Sequence, residues 1–245
     1  EHEGEDRGGG FEIDVVLHAE HGGGNNSTFT THVISSSGSD TYSTISAAVG
    51  SLKGPKHGGA NIAVINMLDD LKKHVKDITN RKEVEEYLIK VLKGEANDGS
   101  GLVYGMGHAI YTLSDPRAVV LRGMAKELAK SKGLEADFQL CEYIEEMTPG
   151  LYAQVNGVDK PLSANVDLYS GFVYNALNIP IDIATPLFAV ARLSGWAAHR
   201  LEELIARKRL IRPAYVNVLP HRDFVDIGNR TQHVVANGNG TASGN

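Results

Sequence analysis

The sequence predicts a mostly α-helical protein, and three observations carry that expectation. Apolar residues recur at i, i+3, i+4 and i+7 in several segments, polar capping residues stand just ahead of them, and alternating apolar and polar runs are almost missing. With 42% hydrophobic residues over a length of 245, the chain carries enough apolar material for one sizeable core or two small ones.

Residues 1–10 hold four glycines and five charged side chains and read as a tail, as does the Gly-, Asn-, Ser- and Thr-rich stretch 230–245. A helical segment then runs through His18 and His21 and ends in Gly22-Gly23-Gly24, with the next opening at Asn26 or Ser27. Thr28 to Leu52 is so rich in Ser, Thr and Gly that propensity leaves it ambiguous, although Ile45-Ser46-Ala47-Ala48-Val49 suits a tightly packed helix. Ile62, Ile65, Leu68, Leu71 and Val75 mark a further helix. Val84, Tyr87, Leu88, Val91 and Leu92 mark another, with Asn80 and Glu83 as its capping signal. Asp115-Pro116 supplies an N-cap and a first-turn proline to a helix that Gly133 ends. Asp167 stands at a helix start, where the dipole favours a carboxylate. A long helix is expected from Thr185-Pro186 to about Lys208, apolar on most sides in its first half and so buried there. Only Tyr215-Val216-Asn217-Val218-Leu219 alternates like a strand.

Lys and Arg number 24 against 30 Asp and Glu, so the net charge of −6 gives no overall basic field for nucleic acid or an anionic membrane. The single Cys141 rules out an internal disulfide and a multi-thiolate metal site, in keeping with a reducing compartment. No apolar run approaches the roughly 20 residues that span a bilayer. The first residues lack the basic and apolar regions of a secretory leader, and the expected location is cytoplasmic.

Candidate chemistry gathers in Gly-rich junctions that also hold histidines: His18-Ala19-Glu20-His21 through Ser27-Thr28, Gly54-Pro55-Lys56-His57-Gly58-Gly59-Ala60-Asn61, and Gly105-Met106-Gly107-His108 followed by Asp115-Pro116-Arg117. Glycines there let backbone come close to a ligand. His18 and His21 would share a helix face, but the spacing is not that of a zinc helix and no third ligand is evident, so no metal set is predicted. Arg192 interrupts an apolar helix expected to be buried. A guanidinium there needs an anion, either a protein carboxylate or a substrate carboxylate. Arg212, ahead of Pro213, reads from the residues alone as a surface side chain.

Taken in order, these junctions, with Asn165-Val166-Asp167-Leu168-Tyr169-Ser170-Gly171 and Arg212-Pro213, resemble the citrate synthase family across roughly residues 11 to 229. Citrate and 2-methylcitrate synthases share the motifs. The resemblance implies an all-α, two-domain enzyme that joins acetyl-CoA to oxaloacetate to give citrate and CoA, with acetyl-CoA as co-substrate and no tightly bound cofactor. By the same likeness His57 meets the thioester carbonyl and its enolate, His108 polarises the oxaloacetate carbonyl, and Asp167 takes the methyl proton. His21, Arg117 and Arg192 match substrate-carboxylate ligands, and Gly105, Met106 and Gly107 match a stretch that approaches the coenzyme. Arg212 matches an arginine supplied across a homodimer interface.

The resemblance also implies a small domain at 58–164 between large-domain parts at 11–57 and 165–229. Family members place further large-domain helices ahead of the His18 motif, so the large domain reads as incomplete and exposed apolar surface is expected. Three alternatives stay open from the residues: propionyl-CoA as acyl donor, a noncatalytic fragment, and a histidine-based metalloenzyme.

Overall fold

Helices form where the chain offers caps and apolar faces. The computed structural model describes residues 9–108, 110–158, 160–206, 209–218 and 221–229. They fold into α1 (Gly9–His18), α2 (Asn26–Ser36), α3 (Thr41–Leu52), α4 (Ala60–His74), α5 (Arg81–Leu92), α6 (Pro116–Lys132), α7 (Glu135–Asn156), α8 (Val166–Ala176) and α9 (Ile181–Ala206). Side-chain oxygens of Asp40, Asn80, Asp115 and Asn165 accept from the first-turn N–H groups of α3, α5, α6 and α8. Gly133 closes α6 in the left-handed conformation, at φ 66°. Glu83 does not complete a capping box on Asn80 N–H; its Oε2 accepts instead from Lys76 N and Asp77 N.

The described residues up to Ile211 form one compact unit and those from Arg212 on a second. The first unit holds two apolar cores. The larger draws on α4 to α8 and includes Leu71, Leu88, Leu121, Ile144 and Tyr169. The smaller joins Ala48 and Leu52 of α3 to Phe188 and Trp196 of α9. In the second unit, the described residues are exposed and carry no regular secondary structure apart from a short 3-10 turn at Ile227–Asn229.

The ambiguous stretch after Thr28 resolves into two helices, α2 and α3, the second containing Ile45–Val49. Three expectations need correction. The long helix starts at Ile181, after Pro180, so Pro186 lies inside α9, where it has no N–H for the Asp182 carbonyl. Its first half is not buried all round: Val190 is 69% and Leu193 45% exposed, and with Leu201, Leu204 and Ile205 they make one outward apolar face. Finally, Tyr215 to Val218 form no strand; alternation alone supplies no pairing partner, and Leu219 falls outside the described residues. The expected helix end at Lys208 and the 230–245 tail also fall outside them, as does the 1–10 tail except Gly9 and Gly10, which begin α1. No helix among the described residues is long and apolar enough to cross a membrane.

Candidate active site

A short backbone splice holds His108 beside the start of α8. Met106 forms an isolated antiparallel bridge with Ala164. Gly107 N donates to Ser163 O at 2.7 Å and Asn165 N to Gly105 O at 2.9 Å. Asn165 is bound twice more, since its Nδ2 donates to Gly107 O while its Oδ1 caps Asp167 N. Gly105, at φ 82°, lies so close to α8 that a Cβ there would meet Leu168 Cβ at 2.8 Å. His57 is fixed from the other side: Gly58 N donates to Leu52 O, and Thr185 Oγ1 of α9 donates to Gly58 O.

These constraints bring His21, His57, His108, Arg117, Asp167 and Arg192 around one cavity of about 690 Å³, walled also by Phe188 and Val166. They come from the α1–α2 loop, the α3–α4 loop, the loop before α6, and the first turns or middle of α6, α8 and α9. Arg192 is fully buried, with its guanidinium 4.8 Å above the Phe188 ring. Its Nε donates to His18 O, but neither terminal nitrogen has a hydrogen-bond partner among the described residues. Burial, reinforced by the like charge of Arg117, pushes its pKa down to about 10. Arg117 is held along one edge by Asp115, whose Oδ1 accepts from Nε and Oδ2 from Nη2. Burial alone would raise Asp115, but the Arg117 hydrogen bonds and charge hold it below the usual carboxylate range. The cavity wall therefore carries two guanidiniums, and among the described residues the terminal nitrogens of Arg192 meet no hydrogen-bonded carboxylate.

His21 and His57 are held neutral, and His108 is oriented as a donor. His108 Nδ1 accepts from Ile110 N and Tyr111 N, each at 3.0 Å, which leaves the proton on Nε2. That Nε2 lies 3.0 Å from His21 Nε2. Burial, then the Arg117 charge, the His108 ring and Arg192, bring His21 down to about 4. His108 is lowered as well, by burial and Arg117 against an opposing pull from Asp115. His57 sits at about 4 through burial and the Arg192 charge. Its Nε2 lies 3.0 Å from Ser27 Oγ and 3.1 Å from Asn25 Oδ1. Ser27 Oγ already accepts from Trp196 Nε1, so its own proton goes to Asn25 Oδ1 or to His57 Nε2. Asp167 is raised: burial dominates over the charges of His18 and Arg117. A carboxylate so placed is a stronger base than one in water.

A family model described as citrate synthase, C-terminal domain, matches residues 6–214. The chain belongs to the citrate synthase family. A citrate synthase from Synechocystis sp. is 36% identical over 228 residues, covering 93% of this chain and 53% of that protein. A 2-methylcitrate synthase from Shewanella oneidensis is 33% identical over 222 residues, covering 90% and 53%. A solved citrate synthase from Thermoplasma acidophilum, in a ternary complex with carboxymethyl coenzyme A and oxaloacetate, superposes with a TM-score of 0.73 at 32% identity, covering 92% of this chain and 56% of that one. The chain thus spans about half the length of the relatives it matches.

Of the residues that the citrate synthase likeness singles out, six line the one cavity. Met106 and Gly107 line an adjoining cavity of about 370 Å³ that shares His108 as a wall. Gly105 lines neither and packs on Leu168. Arg212 is exposed within the second unit. His18 and His21 do not share a helix face: α1 ends at His18, which is buried with Nδ1 on Asp14 O, while His21 is on the following loop. Sequence reasoning gave no role in the site to Asn25, Ser27, Tyr111, Asp115 or Trp196. The first two lie inside a motif already quoted; Asp115 was read only as a helix cap, although it also holds Arg117.

Proposed function

We propose that the chain carries the condensing site of a citrate synthase, joining acetyl-CoA to oxaloacetate to release citrate and CoA. The observation that supports it best is the Arg192 guanidinium, buried with two unpartnered nitrogens in a cavity that also holds Arg117, His108 and Asp167. A dicarboxylate satisfies both arginines, and planar forks recognise carboxylates in a bidentate way. Oxaloacetate bound by Arg117, Arg192 and His21 presents its ketone oxygen to His108 Nε2–H. The donor then turns from His21 to that oxygen and stabilises the charge that builds there.

A thioester methyl is a very weak carbon acid. Asp167 removes its proton only if the enolate oxygen meets a donor at the same moment, and His57 supplies it. In this reading Ser27 Oγ–H turns from Asn25 Oδ1 to His57 Nε2, which places the imidazole proton on Nδ1 for the thioester oxygen. The enolate carbon attacks the ketone carbon, and water then cleaves the citryl thioester. In this reading, residues 58–164 are a small domain that closes on large-domain parts 11–57 and 165–229 and excludes water during condensation. Met106 and Gly107 face the coenzyme, Arg212 acts across a homodimer interface, no tightly bound cofactor is needed, and the protein works in the cytoplasm within the tricarboxylic acid cycle.

The test is thiol release from acetyl-CoA, with and without oxaloacetate, repeated with propionyl-CoA. Oxaloacetate-dependent release supports the proposal, and the ratio of the two rates assigns the acyl chain. Equal release without oxaloacetate contradicts it.

A further inference from the structure

A second cluster lies outside the catalytic cavity, between α2 and α9. His32 Nε2, His199 Nδ1 and a Glu202 carboxylate oxygen lie within 4.8 Å of one another. The separations are 3.1 Å between the two imidazole nitrogens, 3.0 Å from His199 Nδ1 to Glu202 Oε2, and 3.9 Å from His32 Nε2 to the same oxygen. Three ligands around a tetrahedral ion with bonds of 2.0–2.1 Å are about 3.3 Å apart.

The outer atoms of the same rings are engaged by carboxylates. His32 Nδ1 lies 2.8 Å from Glu203 Oε2, and His199 Nε2 lies 2.9 Å from Glu20 Oε2. A proton on each outer nitrogen, facing its carboxylate, leaves the two inner nitrogens to face each other and Glu202. Carboxylates behind imidazoles in this way fix the tautomer and raise ligand basicity at metal centres. The three inward atoms are held together either by a proton on His199 Nδ1, shared with Glu202 Oε2 and His32 Nε2, or by a metal ion that displaces that proton. Gly23 borders the cluster: a Cβ there would stand 3.6 Å from His32 Nε2, and its absence leaves room for a fourth ligand such as water.

We infer that His32, His199 and Glu202 form a binding site for one divalent transition ion of the Zn²⁺ class, which braces α2 against α9 beneath the loop that carries His21. Two imidazoles and one carboxylate suit Zn²⁺, Co²⁺ or Ni²⁺ rather than Ca²⁺ or Mg²⁺, which take oxygen donors. The ion has a structural role and takes no part in the condensation, because its ligands on α2 and α9 do not line the cavity of His57, His108 and Asp167. Glu20 links the two regions, with one oxygen on His199 and the other accepting from His21 N.

Calorimetric titration of the chelator-treated protein with Zn²⁺ tests this, with Co²⁺ absorption as a second readout. The expected result is uptake of one equivalent and a higher melting temperature. Glu202→Gln, at a side chain 59% exposed, is expected to fold normally and to weaken binding roughly tenfold or more, and His199→Ala to abolish it. His108→Ala, which breaks the other close histidine pair, is expected to keep it. No stoichiometric uptake, uptake indifferent to Glu202→Gln and His199→Ala, or loss in His108→Ala overturns the assignment.

Discussion

The Nε2 atoms of His21 and His108 face each other at 3.0 Å, and two backbone N–H groups on His108 Nδ1 make His108 the donor of the pair. The cavity thus holds a neutral imidazole whose N–H is already aimed inward. Its direction is set by the turn at Ile110 and Tyr111, before any substrate arrives.

That arrangement has a pH signature. His21 and His57 stand at about 4 in the folded protein, against about 6.5 for an unperturbed imidazole. Between these values the unfolded chain binds more protons than the folded one, so stability rises with pH through the window and is lost as pH falls from about 6.5 toward 4. Urea midpoints measured across that range should fall on acidification. Histidine NMR titrations should place both rings well below 6; a midpoint near 6.5 for either would refute its burial as a neutral imidazole.

Asp167→Asn removes the proposed base while keeping shape and the Asn165 cap on the residue 167 amide. Thiol release is expected to drop on the order of 10²- to 10⁴-fold, with oxaloacetate affinity within a few-fold of wild type. Turnover within tenfold of wild type would mean that another group takes the proton.

Gly105→Ala sets a Cβ against Leu168 at a positive φ. The cost in unfolding free energy is expected to be about 1–3 kcal/mol, and the displaced loop carries His108 with it. Urea unfolding and the KM for oxaloacetate should both worsen; an unchanged variant would show that the loop tolerates a side chain against α8.

Much of this was readable from residues alone where the signals are local. Asn80 and Asp115 announce their helices because a cap and the apolar face it precedes lie within one turn of each other. Pro186 misleads, since the rule that places proline in a first turn does not apply to it: α9 already starts at Ile181, directly after Pro180, and Pro186 lies inside it. Helix α7 was not singled out beforehand because Pro149 and Gly150 interrupt its apolar pattern. The six cavity residues were legible through motif order. The Trp196–Ser27–His57 chain and the His32–His199 pair were not, because their members are far apart in sequence, 167 residues in the second case, and only tertiary packing joins them.

The account rests most heavily on Arg192 as a carboxylate ligand. Calorimetry of oxaloacetate on wild type and on Arg192→Met, a substitution of similar reach without charge, tests it directly. The account predicts 1:1 binding to wild type, a loss of about 2–5 kcal/mol, on the order of 30-fold or more, in the variant, and a melting temperature equal to or above wild type, because an uncompensated buried charge is gone. Undiminished oxaloacetate binding by Arg192→Met would contradict it.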